Sequence, residues 1–200
     1  MSINTYVINL EKDNRRFQNI IVELNNVGIH NVFKYNAING KTIDISKYKK
    51  YLDPITNIYT IGAIGCGLSH ILLAEYLYYN DPNDIVMICE DDIVTNDKFN
   101  TKLEIENCIR TAPENWDIIL LSYYTSQFSD TNHKKINLFD WGTQCYLISK
   151  SGMKKMMNTK LKCHIDMQRN LTNNIITYKY KHNLFYPDSN LKVIWLKIIT

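Results

Sequence analysis

Three acidic residues in succession, Glu90, Asp91 and Asp92, follow directly on the most apolar run of the chain, Ile85-Val86-Met87-Ile88-Cys89. Adjacent carboxylates repel one another, so a folded site must offset them with a cation or with strong hydrogen bonds. Hard oxygen donors of this kind suit Mg²⁺ or Mn²⁺, and such an ion fills its remaining positions with substrate phosphates. A solvated acidic turn after a strand produces the same local pattern. Gly62, Gly65 and Gly67 form a second cluster, where backbone free of Cβ atoms can approach a ligand ahead of a helix N-terminus that favours an anion. The GxxGxG spacing is neither the dinucleotide fingerprint nor a P-loop, and a tight structural turn reads equally well. His70 lies just beyond, and a lone histidine on a helix is more often packed or solvent-facing than catalytic. Arg15-Arg16 follows the first strand and its turn; there a guanidinium can fork onto a phosphate or simply cover a helix surface. Asp166, in Cys163-His164-Ile165-Asp166, is unremarkable by itself.

The elements that must position these groups are legible from periodicity. Residues 5–10 read as a short strand, 11–14 as a polar turn, and Phe17, Ile20, Ile21 and Leu24 recur at helical spacing until Gly28. Residues 31–35 read as a second strand, so the chain opens as β-α-β, the start of a parallel sheet. The glycine turn leads into a helix over 68–80, and the unbroken apolar run at 85–89 is expected to be a central strand covered on both faces. A helix over 99–111, strands over 116–121 and 144–148, and a short helix capped by Ser151 complete the readable pattern. The last 40 residues alternate less clearly. In open α/β sheets ligands gather at the carboxyl ends of strands, which is where the acidic triplet stands.

Composition narrows the function. With 200 residues, 45% of them hydrophobic and 22% charged, the chain is expected to form one globular domain over 1–200. A net charge of +3, from 23 basic and 20 acidic residues, is too mild to predict nucleic-acid binding. No apolar run is expected to reach the roughly 18 residues of a membrane span, and the N-terminus lacks a basic leader, so a cytoplasmic location is expected. The five cysteines include no CxxC pair, which implies reduced thiols and no structural zinc.

Taken in order along the chain, these pieces resemble glycosyltransferase family 25, the lipooligosaccharide galactosyltransferases and collagen galactosyl- or glucosyltransferases. The matching segments are Val7-Ile8-Asn9-Leu10 with Arg16 beyond it, Asn36-Ala37-Ile38-Asn39-Gly40, and Gly62-Ala63-Ile64-Gly65-Cys66-Gly67-Leu68-Ser69-His70. They continue through Ile88-Cys89-Glu90-Asp91-Asp92, Trp116-Asp117-Ile118-Ile119-Leu120, Gly142-Thr143-Gln144-Cys145-Tyr146-Leu147-Ile148-Ser149, His164-Ile165-Asp166 and Leu184-Phe185-Tyr186-Pro187. The resemblance implies a GT-A-like α/β fold, with a mixed, mostly parallel sheet flanked by helices. It also implies a UDP-hexose donor, Mn²⁺ (or Mg²⁺) on the acidic triplet, inversion at the anomeric carbon, and a glycan or hydroxylysine-type protein acceptor. Asn9, Leu10, Arg16, Gly65, Ser69, His70 and Asp91 would then bind the donor, while Asp92 and Glu90 would hold the metal. An inverting transfer needs a carboxylate base opposite the diphosphate, and Asp166, at the family's Pro-x-Asp position, is the choice. A cap on the segment beginning at Met167 is the other reading of Asp166.

The match has departures. Ala63 stands where many members carry Glu, His164 replaces the proline of Pro-x-Asp, and the family usually runs longer after Tyr186-Pro187. His182 is the only histidine after His164, and nothing beside it marks it as an extra metal ligand. An inactive relative that binds a nucleotide-sugar or glycan is therefore the alternative. A phosphotransferase is disfavoured, because the triplet lacks Asp-x-Asp-x-Thr order.

Overall fold

Alternation along the third strand sets the architecture. In β3 (Ile85–Glu90), Val86 and Ile88 point into one apolar cluster and Met87 and Cys89 into another, so neither face can be polar. The computed structural model describes residues 3–55, 60–124, 131–136, 140–171 and 174–188. Within these, β1 (Thr5–Asn9) lies between β2 (Val32–Asn36) and β3, parallel to both. On the other side of β3 follow β7 (Cys145–Ser149), β5 (Ile118–Leu120), β8 (Thr177–Tyr180) and β6 (His133–Lys135), giving the order β2-β1-β3-β7-β5-β8-β6. β7 runs antiparallel to both its neighbours and β6 antiparallel to β8, so five of these seven strands share one direction. A small separate ribbon pairs β4 (Ile93–Thr95) with β9 (Phe185–Pro187). This is the mixed, mostly parallel sheet that the family resemblance implies.

One face is covered by α2 (Ile61–Asn80) and α4 (Lys150–Met157), which bury Leu68, Ile71, Leu73, Leu77, Met153 and Met156. The other carries α1 (Asn14–Asn26) and α3 (Thr101–Arg110), through Ile20, Leu24, Ile105 and Cys108. Each such large side chain contributes about 1.5–3 kcal/mol on burial, which is what holds the helices to the sheet. The final stretch supplies α5 (Ile165–Leu171), β8 and β9.

Three expectations change. The glycine segment is not a turn: Thr60 caps α2 by accepting from the Ala63 amide at 3.2 Å, and the helix begins at Ile61 rather than near 68. Two of its glycines serve packing instead, since a Cβ on Gly65 would lie 2.6 Å from the Ile38 carbonyl oxygen and one on Gly67 2.6 Å from the Leu161 side chain. The cap of α4 is Ser149, whose Oγ accepts from the Gly152 amide at 3.1 Å, and not Ser151. Finally, the earlier helix start makes α2 20 residues long, enough by length and composition to cross a bilayer. Most of it is buried inside the fold, with Leu68, Ile71, Leu73, Ala74 and Leu77 fully covered by protein.

Candidate active site

β1 and β3 are adjacent and parallel, with Ile8 opposite Glu90, so the residues that follow them emerge side by side. Asn9 uses this placement: its Nδ2 donates to Asp91 Oδ2 at 2.5 Å and to the Asp13 carbonyl at 3.0 Å, which ties the strand end to the turn into α1. The turn at 10–13, closed by the Asp13 amide on the Leu10 carbonyl, then brings Arg16 back over the strand ends. One Arg16 terminal nitrogen lies 2.7 Å from Asp91 Oδ1 and 3.7 Å from Asp92 Oδ2. Asn9, Leu10, Arg16 and the triplet are thus brought together.

Glu90 is held from the opposite side. Thr143 Oγ1 donates to Glu90 Oε1 at 2.7 Å, and the Glu90 amide donates to the Gln144 carbonyl at 2.8 Å. Buried His70 places Nδ1 2.9 Å from the Tyr146 hydroxyl and Nε2 3.4 Å from Glu90 Oε1, close enough for attraction but without hydrogen-bond alignment. The segment carrying Thr143 is braced in turn. Gly142 adopts φ +132°, and a Cβ there would meet the Ser122 carbonyl oxygen at 2.9 Å, so the bend requires glycine. Buried Arg169 donates to the Gly142 carbonyl at 2.7 Å, and buried Lys179 pairs with Asp140 at 2.6 Å. Sequence reading missed Thr143, Tyr146 and these braces. Thr143 and Tyr146 fall inside a matched segment, yet nothing local shows which acid they face.

The three acids differ electrostatically. Burial raises Glu90, but His70, Thr143 and Arg16 outweigh it and hold its carboxyl below the usual range. Asp91 is raised by burial despite Arg16 and Asn9. Asp92 is pushed up to about 7 by burial and by the charges of Glu90 and Asp91, with Arg16 opposing. Among the described residues, nine buried side-chain polar atoms lack a hydrogen-bond partner. Four of them, Asn9 Oδ1, Arg16 Nε, His70 Nε2 and Asp92 Oδ1, belong to this one site, as expected where a ligand completes the bonding. Of these, Asp92 Oδ1 and Asn9 Oδ1 are oxygens that a hard cation could take, with Glu90 beside them, whereas Arg16 Nε is a donor that suits an anion.

Other expected residues occupy different positions. Ser69 is fully buried; its Oγ accepts from the Ile38 amide at 2.8 Å and donates to the Gly65 carbonyl at 2.7 Å. Ser69 and Gly65 therefore bind α2 to the loop after β2, because their polar and steric capacity is already used there. Asp166 lies in the first turn of α5, where its Oδ1 accepts from the Met167 amide at 2.8 Å. The helix starts one residue before it, so it is not the cap itself. Burial, followed by the charges of Glu90, Asp166 and Asp92, pushes the Cys66 thiol up, which puts Asp166 in the electrostatic neighbourhood of the triplet. His182 stacks on Phe99 with ring centroids 4.2 Å apart. Tyr124 and Trp141 are bridged neighbours with exposed rings, and the phenol of Tyr124 is raised by burial and by Asp92 and Glu90.

Fold and site together define an α/β protein with a carboxylate cluster at the carboxyl ends of parallel strands. The model of glycosyltransferase family 25 (LPS biosynthesis protein) matches residues 2–173, and the chain belongs to that family. No curated protein matches it by sequence. Among solved structures it is similar in fold to A197 from STIV, at 11% identity and TM-score 0.50, over 94% of this chain and 85% of that one. HddC from Yersinia pseudotuberculosis, complexed with GMP-PN, aligns at 12% identity and TM-score 0.48, over 92% and 93%. A glycosyltransferase involved in glycosylation of the major capsid of PBCV-1 aligns at 11% identity and TM-score 0.41, over 78% and 64%.

Proposed function

We propose that this glycosyltransferase is inverting and metal-dependent, moving a hexose from a UDP-sugar to a glycan or hydroxylated protein acceptor. The observation that carries the reading is the cluster of unsatisfied buried polar atoms around Asp92, at the ends of β1 and β3. A bound Mn²⁺ would supply charge stabilisation to the departing diphosphate. Asp92 and Glu90 would hold it, while Asn9 and Arg16 engage both oxygens of Asp91. His70 and Thr143 keep Glu90 ionised. On the acceptor side, Asp166 would take the proton from the attacking hydroxyl. A panel of UDP-, GDP- and CMP-sugars, scored for donor hydrolysis with and without Mn²⁺, tests the reading. Turnover of a UDP-hexose only with metal is expected; binding of UDP without turnover of any donor would leave the non-catalytic alternative.

Arg16 gives a sharper expectation. Its pairing with Asp91 leaves Nε buried without a partner, so the guanidinium can both hold the acid and meet a diphosphate. Removing a charged hydrogen bond costs about 1.5–3 kcal/mol, so Arg16→Ala should weaken UDP binding roughly tenfold to a hundredfold in calorimetry. An unchanged Kd would reduce Arg16 to a surface residue of α1.

A further inference from the structure

We propose that Cys66, His70 and Glu90 form a binding site for a thiophilic divalent cation such as Zn²⁺, one that shares Glu90 with the hard-ion site proposed at Asp92 and differs from it in its other ligands. Cys66 and His70 are four residues apart on α2, so they stand one turn above the other on the same helix face. β3 brings Glu90 against that face, and the three ligand atoms lie within 4.8 Å of one another. Around a tetrahedral zinc, with bonds of about 2.0–2.3 Å, ligand atoms sit roughly 3.3–3.8 Å apart, so side-chain rotation closing the widest pair by about 1 Å completes the set.

The buried histidine nitrogen, the one unsatisfied atom of the cluster on this side of Glu90, points to a ligand here. His70 Nε2 is fully buried, has no hydrogen-bond partner, and is directed at Glu90 from 3.4 Å. Its other nitrogen is engaged by the Tyr146 hydroxyl at 2.9 Å, the arrangement by which a neighbouring group orients a metal-binding imidazole. A thiolate and a carboxylate together balance a charge of +2, which matters at a site with so little solvent. The thiolate selects Zn²⁺ over Mn²⁺ or Mg²⁺, whereas Asp92 selects the harder ions. Three protein ligands leave the fourth position of the ion open.

The test uses the whole chain and metal alone, without donor or acceptor, so it stands apart from the transfer reading. Adding Co²⁺ as a reporter for Zn²⁺ should produce a thiolate-to-cobalt charge-transfer band and the visible bands of a tetrahedral ion. Cys66→Ser should remove the charge-transfer band, while Cys163→Ser and Asp92→Asn keep it. Tyr146→Phe, which keeps the shape of a buried ring, should weaken Zn²⁺ binding about 10–100-fold in competition with a chelator. No band in the native protein, a band that survives Cys66→Ser, or a band lost in Asp92→Asn overturns the site. Unchanged Zn²⁺ affinity in Tyr146→Phe does so even if Cys66→Ser fails to fold.

Discussion

Asp92→Asn should abolish metal-dependent donor turnover and at the same time raise the thermal stability of the metal-free protein. The first effect follows from charge. Stabilising the leaving diphosphate through a bound ion is worth several kcal/mol, so turnover should drop by about 10³-fold or more. The second follows from the cost of an ionised Asp92 in the folded chain. Its ordinary pKa of 3.8 rises to about 7, so the folded state holds a proton that the unfolded state has lost. Stability therefore falls as pH climbs from about 4 to about 7, and above that range the cost is fully present. A shift of about three units sets a ceiling near 4 kcal/mol, reduced by solvent because the side chain is 23% exposed. Asparagine keeps the shape without the charge. At about 2–4 °C per kcal/mol for a chain of this size, the variant should melt a few degrees above the native protein at pH 8. The difference should shrink toward pH 5, where the native side chain is itself protonated. Full turnover, or a lower Tm at pH 8, would remove Asp92 from the metal site.

Asp166→Asn should reduce transfer about 10²–10⁴-fold, the usual contribution of a positioned general base, while UDP affinity stays unchanged. The structure makes this substitution clean. The carboxylate accepts from the Met167 amide at 2.8 Å, and an asparagine carbonyl accepts the same bond, so the first turn of α5 is preserved. Proton acceptance alone is lost. Transfer at near the native rate would assign Asp166 to its helix turn and send the search for the base to another carboxylate near the triplet.

Much of this protein was decided locally. The apolar run at 85–89 ending in Glu90-Asp91-Asp92 declares a doubly covered strand with a charged end, because burial on both faces tolerates no alternation. The helical spacing of Phe17, Ile20, Ile21 and Leu24 announced α1, and the ordered motifs sufficed to identify the family. The glycine segment was misread because its spacing suits a turn, and only the close approach of Ile38 and Leu161 shows why the helix carries glycine at 65 and 67. The site itself was settled by tertiary structure. Asn9 reaches Asp91 across 82 residues, and Thr143 reaches Glu90 across 53. Which acid is clamped, which is kept ionised and which is left strained depends on those partners. So does the meeting of Cys66 with Glu90, which no spacing of cysteines announces. Periodicity records which face of an element is buried; it carries no record of which distant side chain will lie opposite, because strand order and helix docking fix that only when the sheet assembles.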